Sequence, residues 1–237
     1  RGRDPARSRG LSGRFVKGFI SRPAARRAMR APLGCRAIDE LLGGGFEGGC
    51  ITLLFGEAGS GKTNICLQLA RNVVRGGKKA IYIDTEGVSM ERLEQICGDD
   101  FEVTAKNILF SEPYSFEEQE RLIDKAIKIT ENSPEVGLIV IDSATMHYRL
   151  TLRDEIRRDE RHALTRQIAK LLRVSRKVGI PVIATSQVYT DIETGKYLPL
   201  GGHMLTHNAK TILELVKTGP SARLARLVKH RAAEEGK

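Results

Sequence analysis

The segment with the clearest chemical meaning runs Gly56-Glu-Ala-Gly-Ser-Gly-Lys-Thr63. It fits the phosphate-binding pattern G-x-x-x-x-G-K-[ST], and it falls between an apolar run that predicts a strand and an amphipathic stretch that predicts a helix. Glycines let the main chain curl until its N–H groups face phosphate oxygens, and the helix start adds a positive dipole end. This P-loop predicts ATP binding, with Lys62 on the β- and γ-phosphates and Thr63 on Mg²⁺. The predicted nucleotide contacts in the loop are Gly56, Glu57, Ala58, Gly59, Ser60, Gly61, Lys62 and Thr63.

Acidic and amide side chains follow three other apolar runs. Asp142 ends the run 138–141, so we expect it at the carboxyl edge of a central strand, where it would hold Mg²⁺ through water. Glu86 lies two residues beyond Asp84 at the end of another strand, and from there a carboxylate can orient water toward the γ-phosphate. We favour Glu86 over Asp84 as the base. Gln187 is the candidate for an uncharged amide on the γ-phosphate.

These side chains need a parallel sheet to bring them together. From Leu33 onward, short apolar runs alternate with amphipathic stretches, which is typical of βαβ units. The pattern predicts strands near 50–55, 80–84, 107–110, 138–141 and 181–185, and helices near 61–75, 90–96, from 115 and near 157–178. Two β segments, 211–216 and 224–229, flank Gly219-Pro220 and predict a hairpin. The expected fold is α/β, a mostly parallel central sheet flanked by helices with a C-terminal β-hairpin.

The net charge of +10 is concentrated at the start of the chain. Residues 1–31 carry ten Arg or Lys and one acid, whereas residues 32–237 hold 29 basic and 28 acidic residues. We predict a basic, disordered extension over 1–32 and an ATPase core over 33–237. The extension is either an arm on DNA or a segment with no selected role. Because the core is nearly neutral, any DNA contact there must be local.

The remaining composition argues against several classes of protein. Cys35, Cys50, Cys66 and Cys97 lie far apart without a C-x-x-C pair, which argues against a disulfide framework or a zinc site and favours a reduced, cytoplasmic setting. His203 and His207 are four residues apart, but without a third ligand nearby we propose no metal there. The apolar runs are far shorter than the roughly 20 residues that a membrane-spanning helix needs, so we expect no membrane partner.

Four motifs occur in a recognisable order: the P-loop, D-T-E-G at 84–87, L-I-V-I-D-S at 138–143 and T-S-Q-V at 185–188. Together they resemble the RecA/RadA recombinase family, over about residues 33–231, and most of all its small archaeal paralogues without an N-terminal helix-hairpin-helix domain. The resemblance implies a RecA-like P-loop NTPase core that uses ATP and Mg²⁺. It also implies binding to single-stranded DNA through two loops, and self-association or binding to a main recombinase of the RadA type. Arg92 matches the family arginine that stacks on adenine.

The resemblance also assigns DNA contacts to the two loops. The predicted DNA-binding residues are Arg149, Arg153 and Arg157 after Asp142, and Tyr189, Lys196 and Tyr197 in a second loop near 189–200. Acidic neighbours interrupt the first basic run, so an ion-paired helix is an open alternative to a phosphate track. The tyrosines offer stacking surfaces for bases. The second loop is short for a strand-exchange enzyme.

Lys229 and Arg231 resemble the basic pair that KaiC-type ATPases extend into a neighbour's γ-phosphate. Such fingers need a homo-oligomer, and the alternative is a positively charged strand end. No F-x-x-A polymerisation motif occurs in the residues before the core, which argues against recombinase-style filaments. The resemblance thus predicts a weakly hydrolysing ATP-binding paralogue that assists homologous recombination and DNA repair on single-stranded DNA. An active strand-exchange recombinase and a KaiC-like signalling ATPase without a DNA role are the alternatives.

Overall fold

The computed structural model describes residues 29–151, 157–233 and 236. In that part of the chain the strands are β1 (Arg30–Ala31), β2 (Phe46–Glu47), β3 (Ile51–Gly56), β4 (Lys79–Asp84), β5 (Ile108–Ser111), β6 (Val136–Asp142), β7 (Val182–Ser186), β8 (Val188–Thr190), β9 (Tyr197–Pro199), β10 (Thr211–Lys217) and β11 (Arg223–Lys229). The α-helices are α1 (Arg36–Leu41), α2 (Lys62–Arg75), α3 (Met90–Cys97), α4 (Phe101–Asn107), α5 (Phe116–Asn132), α6 (Met146–Thr151), α7 (Arg157–Val178) and α8 (Gly202–Asn208). A short 3₁₀ helix, Gly98–Asp100, joins α3 to α4.

Across the described residues, seven strands form one sheet in the order β11-β10-β3-β7-β6-β4-β5. Every pairing in this sheet is parallel except that of β10 with β11, which is an antiparallel hairpin. Strands β3, β6 and β7 are buried along their whole length. Strands covered on both faces read as continuous apolar runs rather than as alternating patterns. The predicted fold class, including the C-terminal hairpin, is therefore confirmed.

Helices cover both faces of this sheet. One buried cluster joins the sheet to α5, α7 and α8, and the other joins it to α2 and α3. Successive residues of one strand serve opposite clusters, as Leu53 and Leu54 of β3 do, because side chains alternate across a strand. Within the described residues, no helix is long and apolar enough to cross a membrane. With both faces covered, the carboxyl edge of the sheet is left to the connecting loops.

The sequence pattern missed the short elements. Helices α1, α6 and α8 have six or seven residues each, which is too short for a helical period to show. The strand predicted from residue 107 begins at Ile108, because α4 occupies the residues before it. Ser115 caps the helix predicted from 115, because its hydroxyl accepts a bond from the main-chain nitrogen of Glu118. The carboxylate of Glu118, however, accepts from the main chain of Tyr114.

A small ribbon precedes the sheet. In it β1 pairs with β2, Arg30 opposite Glu47 and Ala31 opposite Phe46. Ala31 and Phe46 are both buried, so this ribbon packs as part of the folded core and includes two residues of the segment 1–32. Residues 1–28 lie outside the described residues, and the division into extension and core stays a prediction.

Candidate functional site

The P-loop connects β3 to α2 at the carboxyl edge of the sheet. Gly59 and Gly61 have φ values of 71° and 103°, in the left-handed region that disfavours residues with a Cβ. At Gly56, a Cβ would lie 2.2 Å from the carbonyl oxygen of Leu215. Glycine is therefore required at all three positions of the loop. Because α2 begins at Lys62, its first N–H groups lack partners within the helix, and its dipole makes this end attractive to an anion.

Lys62 is buried at the start of α2, with 6% of its surface exposed. Its Nζ donates to the carbonyl oxygens of Gly56 at 2.9 Å and Glu57 at 3.1 Å. Burial lowers the pKa of Lys62, whereas the nearby carboxylates of Glu86 and Asp142 act in the opposite direction. Lys62 follows β3, Asp142 ends β6 and Glu86 follows β4, so the parallel strands bring the three residues to one edge of the sheet. The roles of these residues stay predictions.

Asp142 ends β6 with only 1% of its surface exposed. One carboxylate oxygen accepts from the hydroxyl of Thr185 at 2.5 Å, and the other accepts from the hydroxyl of Tyr82 at 2.8 Å. Burial raises the pKa of Asp142, and hydrogen bonds from Thr185, Thr63 and Tyr82 partly offset that effect. The hydroxyl of Thr63 lies within hydrogen-bond reach of this carboxylate, so the two offer neighbouring oxygen donors of the kind that Mg²⁺ prefers, and their role as metal ligands stays a prediction.

The D-T-E-G segment gives its two acids different environments. Asp84 is buried and accepts hydrogen bonds from the main-chain N–H groups of Glu86 at 3.1 Å, Gly87 at 2.9 Å and Val88. Its carboxylate therefore fixes the turn that follows β4. Glu86 is exposed at that turn, two residues past the point where Asp84 lies opposite Asp142 in the sheet. This arrangement favours Glu86 over Asp84 as a base.

Gln187 follows β7 and lies between two charged side chains. Its Nε2 donates to Oε1 of Glu86 at 3.0 Å, and its Oε1 accepts from Nη1 of Arg149 at 2.9 Å. Its main-chain nitrogen donates to the hydroxyl of Thr145 at 3.2 Å. The amide is thus bonded at both ends, on one side to the predicted base and on the other to the first predicted DNA loop. Sequence reasoning paired Gln187 with the nucleotide and did not find this second contact.

The surroundings of the P-loop fit a bound nucleotide with its metal. The hydroxyl of Ser60 is buried without a hydrogen-bond partner among the described residues, and an apolar cavity of about 490 Å³ opens beside Ser60 and Gly61, between α1 and the β10–β11 hairpin. No group of three His, Cys, Asp or Glu side chains in the described part of the chain could hold a metal. Mg²⁺ on a nucleotide does not need one, because it keeps several waters and takes one or two protein oxygens besides the phosphates.

A sequence model of the Rad51 family matches residues 25–236. The chain belongs to the Rad51 family. It is 52% identical over 206 residues to the DNA repair and recombination protein RadB of Methanococcoides burtonii, covering 85% of this chain and 89% of that protein. It is 42% identical over 211 residues to the protein of the same name from Thermoplasma acidophilum, covering 89% of each. A crystal structure of the RadB recombinase matches with a TM-score of 0.74 at 36% identity, covering 87% of this chain and 93% of that one.

These relatives confirm the resemblance that the four motifs indicated. The similarity extends over most of both chains, so it concerns the whole core rather than the P-loop alone. The RecA-like architecture is likewise that of the RadB structure. The remaining predicted residues lie away from the P-loop, and their positions in the structure are described next.

Arg92, the adenine candidate of this Rad51-family chain, lies in α3 and is exposed. Its Nε donates to Oδ1 of Asn64 at 3.0 Å, and its Nη1 donates to Oε1 of Gln95 at 2.9 Å. Because Asn64 lies in the first turn of α2, these bonds hold the guanidinium beside the P-loop. The position suits a base attached to a nucleotide held there, and the adenine contact stays a prediction.

The first predicted DNA loop corresponds to α6 and the start of α7. Arg149 is exposed on α6 and bonds to Gln187. Arg153 lies outside the described residues, and so does the side chain of Arg157, although α7 begins at that residue. Of these three arginines, only Arg149 has a described side chain. The described residues therefore do not distinguish a phosphate track from an ion-paired helix.

The second predicted DNA loop is a two-stranded hairpin, β8 with β9. Tyr189 is 44% exposed and Tyr197 41% exposed, and Lys196 is exposed beside them. The hydroxyl of Tyr197 donates to the Glu57 carboxylate of the P-loop at 2.9 Å, and this bond raises the pKa of Tyr197. Ile192, at the turn, is fully exposed. Sequence reasoning missed Ile192, although an isolated apolar residue among turn formers was a usable signal.

Lys229 and Arg231, the predicted trans-acting fingers, both have contacts within the chain. Nζ of Lys229 donates to the carbonyl oxygen of Thr206 at 2.9 Å. Nε of Arg231 lies 3.1 Å from the carboxylate of Glu47. Reaching a neighbouring subunit would require both side chains to leave these partners, so the trans role stays a prediction.

Proposed function

We propose that this Rad51-family chain binds ATP with Mg²⁺, hydrolyses it slowly, and assists homologous recombination and DNA repair on single-stranded DNA beside a RadA-type recombinase. The observation that carries the proposal is the placement of Lys62 after β3, Asp142 at the end of β6 and Glu86 after β4, at one edge of the parallel sheet. The name of the relatives, DNA repair and recombination protein RadB, supports a role in DNA repair and recombination.

Each side chain has a distinct task in this proposal. Lys62 and the main-chain N–H groups of residues 59–63 would hold the phosphates, and Thr63 with Asp142 would hold the metal, the latter through water. When bound, Mg²⁺ neutralises charge that develops on the phosphate oxygens. Glu86 would orient a water and accept its proton.

The DNA part of the proposal rests on side chains at the same edge. Tyr189 and Tyr197 present exposed rings, and Lys196 and Arg149 add local positive charge. A cavity of about 630 Å³ lies between the two predicted DNA loops, with Tyr148, Tyr189 and His203 among its lining residues. Rings beside a cationic groove are the usual means of holding single strands without sequence preference.

The length of the second loop favours an accessory protein over a strand-exchange enzyme. Within the described residues, only residues 187–201 separate β7 from α8, and β8 and β9 account for six of them. A hairpin of this size offers a small surface to DNA. We therefore propose that the chain acts as a DNA-binding partner of the main recombinase.

The decisive experiment is single-turnover ATP hydrolysis by the full chain, with and without single-stranded DNA. It is combined with DNA binding by fluorescence anisotropy between about 50 and 200 mM salt. We expect slow hydrolysis, and DNA affinity that falls steeply with salt. The absence of DNA binding at the lower salt with ATP present would instead indicate the signalling ATPase. Joint-molecule formation by the chain alone would indicate an active recombinase.

The partner is tested separately. Mixing the chain with a RadA-type recombinase, with and without ATP, should give an ATP-dependent complex on gel filtration. The Lys62→Ala chain is the matched control, because it lacks the charge that ATP binding requires while α2 still begins at the same point. Equal complex formation by both chains would contradict an ATP-switched partner.

A further inference from the structure

Asp142 is held by side chains from both neighbouring strands. Strand β6 lies between β4 and β7 in the sheet. At the end of β6, the carboxylate of Asp142 accepts from the hydroxyl of Tyr82 on β4 at 2.8 Å and from that of Thr185 on β7 at 2.5 Å. The two bonds go to different oxygens of the carboxylate. Each oxygen of Asp142 therefore has a donor that belongs to the sheet itself.

The three side chains are enclosed in the core. Tyr82 and Thr185 are fully buried, as Asp142 nearly is, and the ring centroid of Tyr82 lies 5.2 Å from that of Phe110. At such a depth, a carboxylate that turned away from either donor would lose a hydrogen bond that water does not replace, which costs free energy. The orientation of Asp142 is thus fixed before a metal arrives.

These bonds take up part of what the carboxylate can accept. An ionised carboxylate has about four lone-pair positions. Tyr82 and Thr185 each occupy one, and the hydroxyl of Thr63 lies within hydrogen-bond reach of the same carboxylate. A cation that needs Asp142 as a direct ligand has to displace one of these donors. A cation that keeps its water can contact the carboxylate through that water, and no bond within the protein needs to break.

Divalent cations differ in how readily they give up water. Mg²⁺ keeps several waters and takes few protein oxygens, whereas Ca²⁺ collects about six to eight oxygen ligands, carboxylates among them. We propose that Tyr82 and Thr185 are positioning residues that keep Asp142 a water-mediated ligand, and that they thereby make the nucleotide site select Mg²⁺ over Ca²⁺. This inference rests on the proposed function, since it takes Asp142 as a ligand of the metal that accompanies ATP.

The test is Tyr82→Phe in the full chain, measured as the dissociation constants of Ca²⁺·ATP and Mg²⁺·ATP by calorimetric titration. In the parental chain, Mg²⁺·ATP should bind more tightly. Removing the hydroxyl frees one oxygen of Asp142 for direct contact with a cation, so the ratio of the Ca²⁺·ATP constant to the Mg²⁺·ATP constant should fall about three- to tenfold, the effect of one hydrogen bond. ATP in the presence of EDTA should bind both chains equally, because Lys62 and the P-loop are unchanged.

Thr185→Val makes the same test from the other side of Asp142 and keeps the shape of the buried side chain. It should lower the ratio in the same way, and Thr185→Ser, which keeps the donor, should return the ratio toward that of the parental chain. Tyr114→Phe removes an exposed hydroxyl, and as the matched control it should leave the ratio unchanged. If Tyr82→Phe does not fold, Thr185→Val decides the question.

An unchanged ratio in either Tyr82→Phe or Thr185→Val, in a chain that is folded and binds ATP, would overturn the proposal. So would an equal loss of affinity with Mg²⁺, Ca²⁺ and EDTA, which is the result expected if the two hydroxyls only support the fold of the site. A parental chain that does not bind ATP with either cation overturns the proposed function as well. A parental chain that binds Mg²⁺·ATP and Ca²⁺·ATP equally overturns only the selection of the metal.

Discussion

The nucleotide site and the loops beside it share one edge of the sheet and are built in opposite ways. Asp142, Asp84 and Lys62 are buried, and each has at least two hydrogen bonds to other parts of the chain. Tyr189 and Lys196 of the β8–β9 hairpin are exposed. Burying polar groups costs free energy unless they are bonded, so the first region must be complete when the protein folds.

This difference shows which region is ready before its ligand arrives. Fixed donors and carboxylates act on a ligand without reorganisation, which suits phosphate and metal chemistry. Exposed rings and cations adapt to a flexible polymer and lose freedom only when it binds. The two regions can be distinguished by substitution, because changes in the first should abolish function or stability and changes in the second should alter affinity by degrees.

The largest effect is expected for Lys62→Ala. It removes a buried cation that the phosphates require, so ATP affinity should fall at least about 100-fold, as for other truncated buried charge pairs. The measurement is the rise in melting temperature with Mg²⁺·ATP, which should vanish. Lys125→Ala, at an exposed position of α5, should retain the full rise. A Lys62→Ala chain that ATP still stabilises would contradict the assignment of the P-loop.

The next effect is expected for Glu86→Gln. The amide keeps the size of the side chain but cannot accept a proton, so single-turnover hydrolysis should fall about 100-fold or more, as for other lost general bases. Binding of Mg²⁺·ATP should persist, because Glu86 is exposed and the phosphates are held elsewhere. Hydrolysis at the parental rate would show that Glu86 is not the base.

Asp84→Asn is the matched change on the other acid of the segment. Asp84 accepts three main-chain N–H groups, and the new amide would turn a donor toward one of them. Unfolding free energy should fall by about 1–3 kcal/mol, the cost of leaving a buried group unpaired. Urea denaturation measures this loss, and Glu86→Gln is the control that should leave stability unchanged. A stable Asp84→Asn chain with no hydrolysis would exchange the roles of the two acids.

The sequence predicted more of the nucleotide site than of the loops beside it. Lys62, Asp142 and Glu86 could be placed together because parallel strands end at one edge, and each lies just after an apolar run. The hydroxyls that bond Asp142 could not be predicted, since Tyr82 and Thr185 come from neighbouring strands and meet it only through the sheet order. Such contacts depend on register rather than on local pattern.

The bond between Arg149 and Gln187 shows the same limit. These residues are 38 positions apart, and composition indicated only a basic loop. The β8–β9 hairpin was predicted as a loop because strands of three residues are too short to show alternation. In both cases local signals indicated the chemistry of the residues, and only the fold supplied their partners.

A smaller effect is expected from the ionisation of Asp142. Burial raises the pKa of Asp142, so the folded chain binds a proton at this carboxylate more readily than the unfolded chain does. The contribution of Asp142 to the free energy of unfolding therefore decreases as pH rises. Asp142→Asn should therefore gain stability relative to the parental chain as pH rises above about 4, the ordinary pKa of an aspartate, while losing Mg²⁺·ATP binding. Urea denaturation across this range measures the difference. A difference that is independent of pH would show that the hydroxyl donors fully offset burial.

The smallest effect is expected for Tyr197→Phe. It removes only the exposed bond to Glu57 and keeps the ring, so melting temperature, ATP affinity and single-stranded DNA affinity should all stay close to parental values, as for most surface changes. Tyr197→Ala removes the ring too, and its DNA affinity should fall about fivefold or more if a base stacks there. A tenfold loss of ATP affinity in Tyr197→Phe would mean that the hairpin helps to hold the P-loop in its binding shape. The contrast between a prebuilt site and an adaptable loop would then fail at the bond between Tyr197 and Glu57.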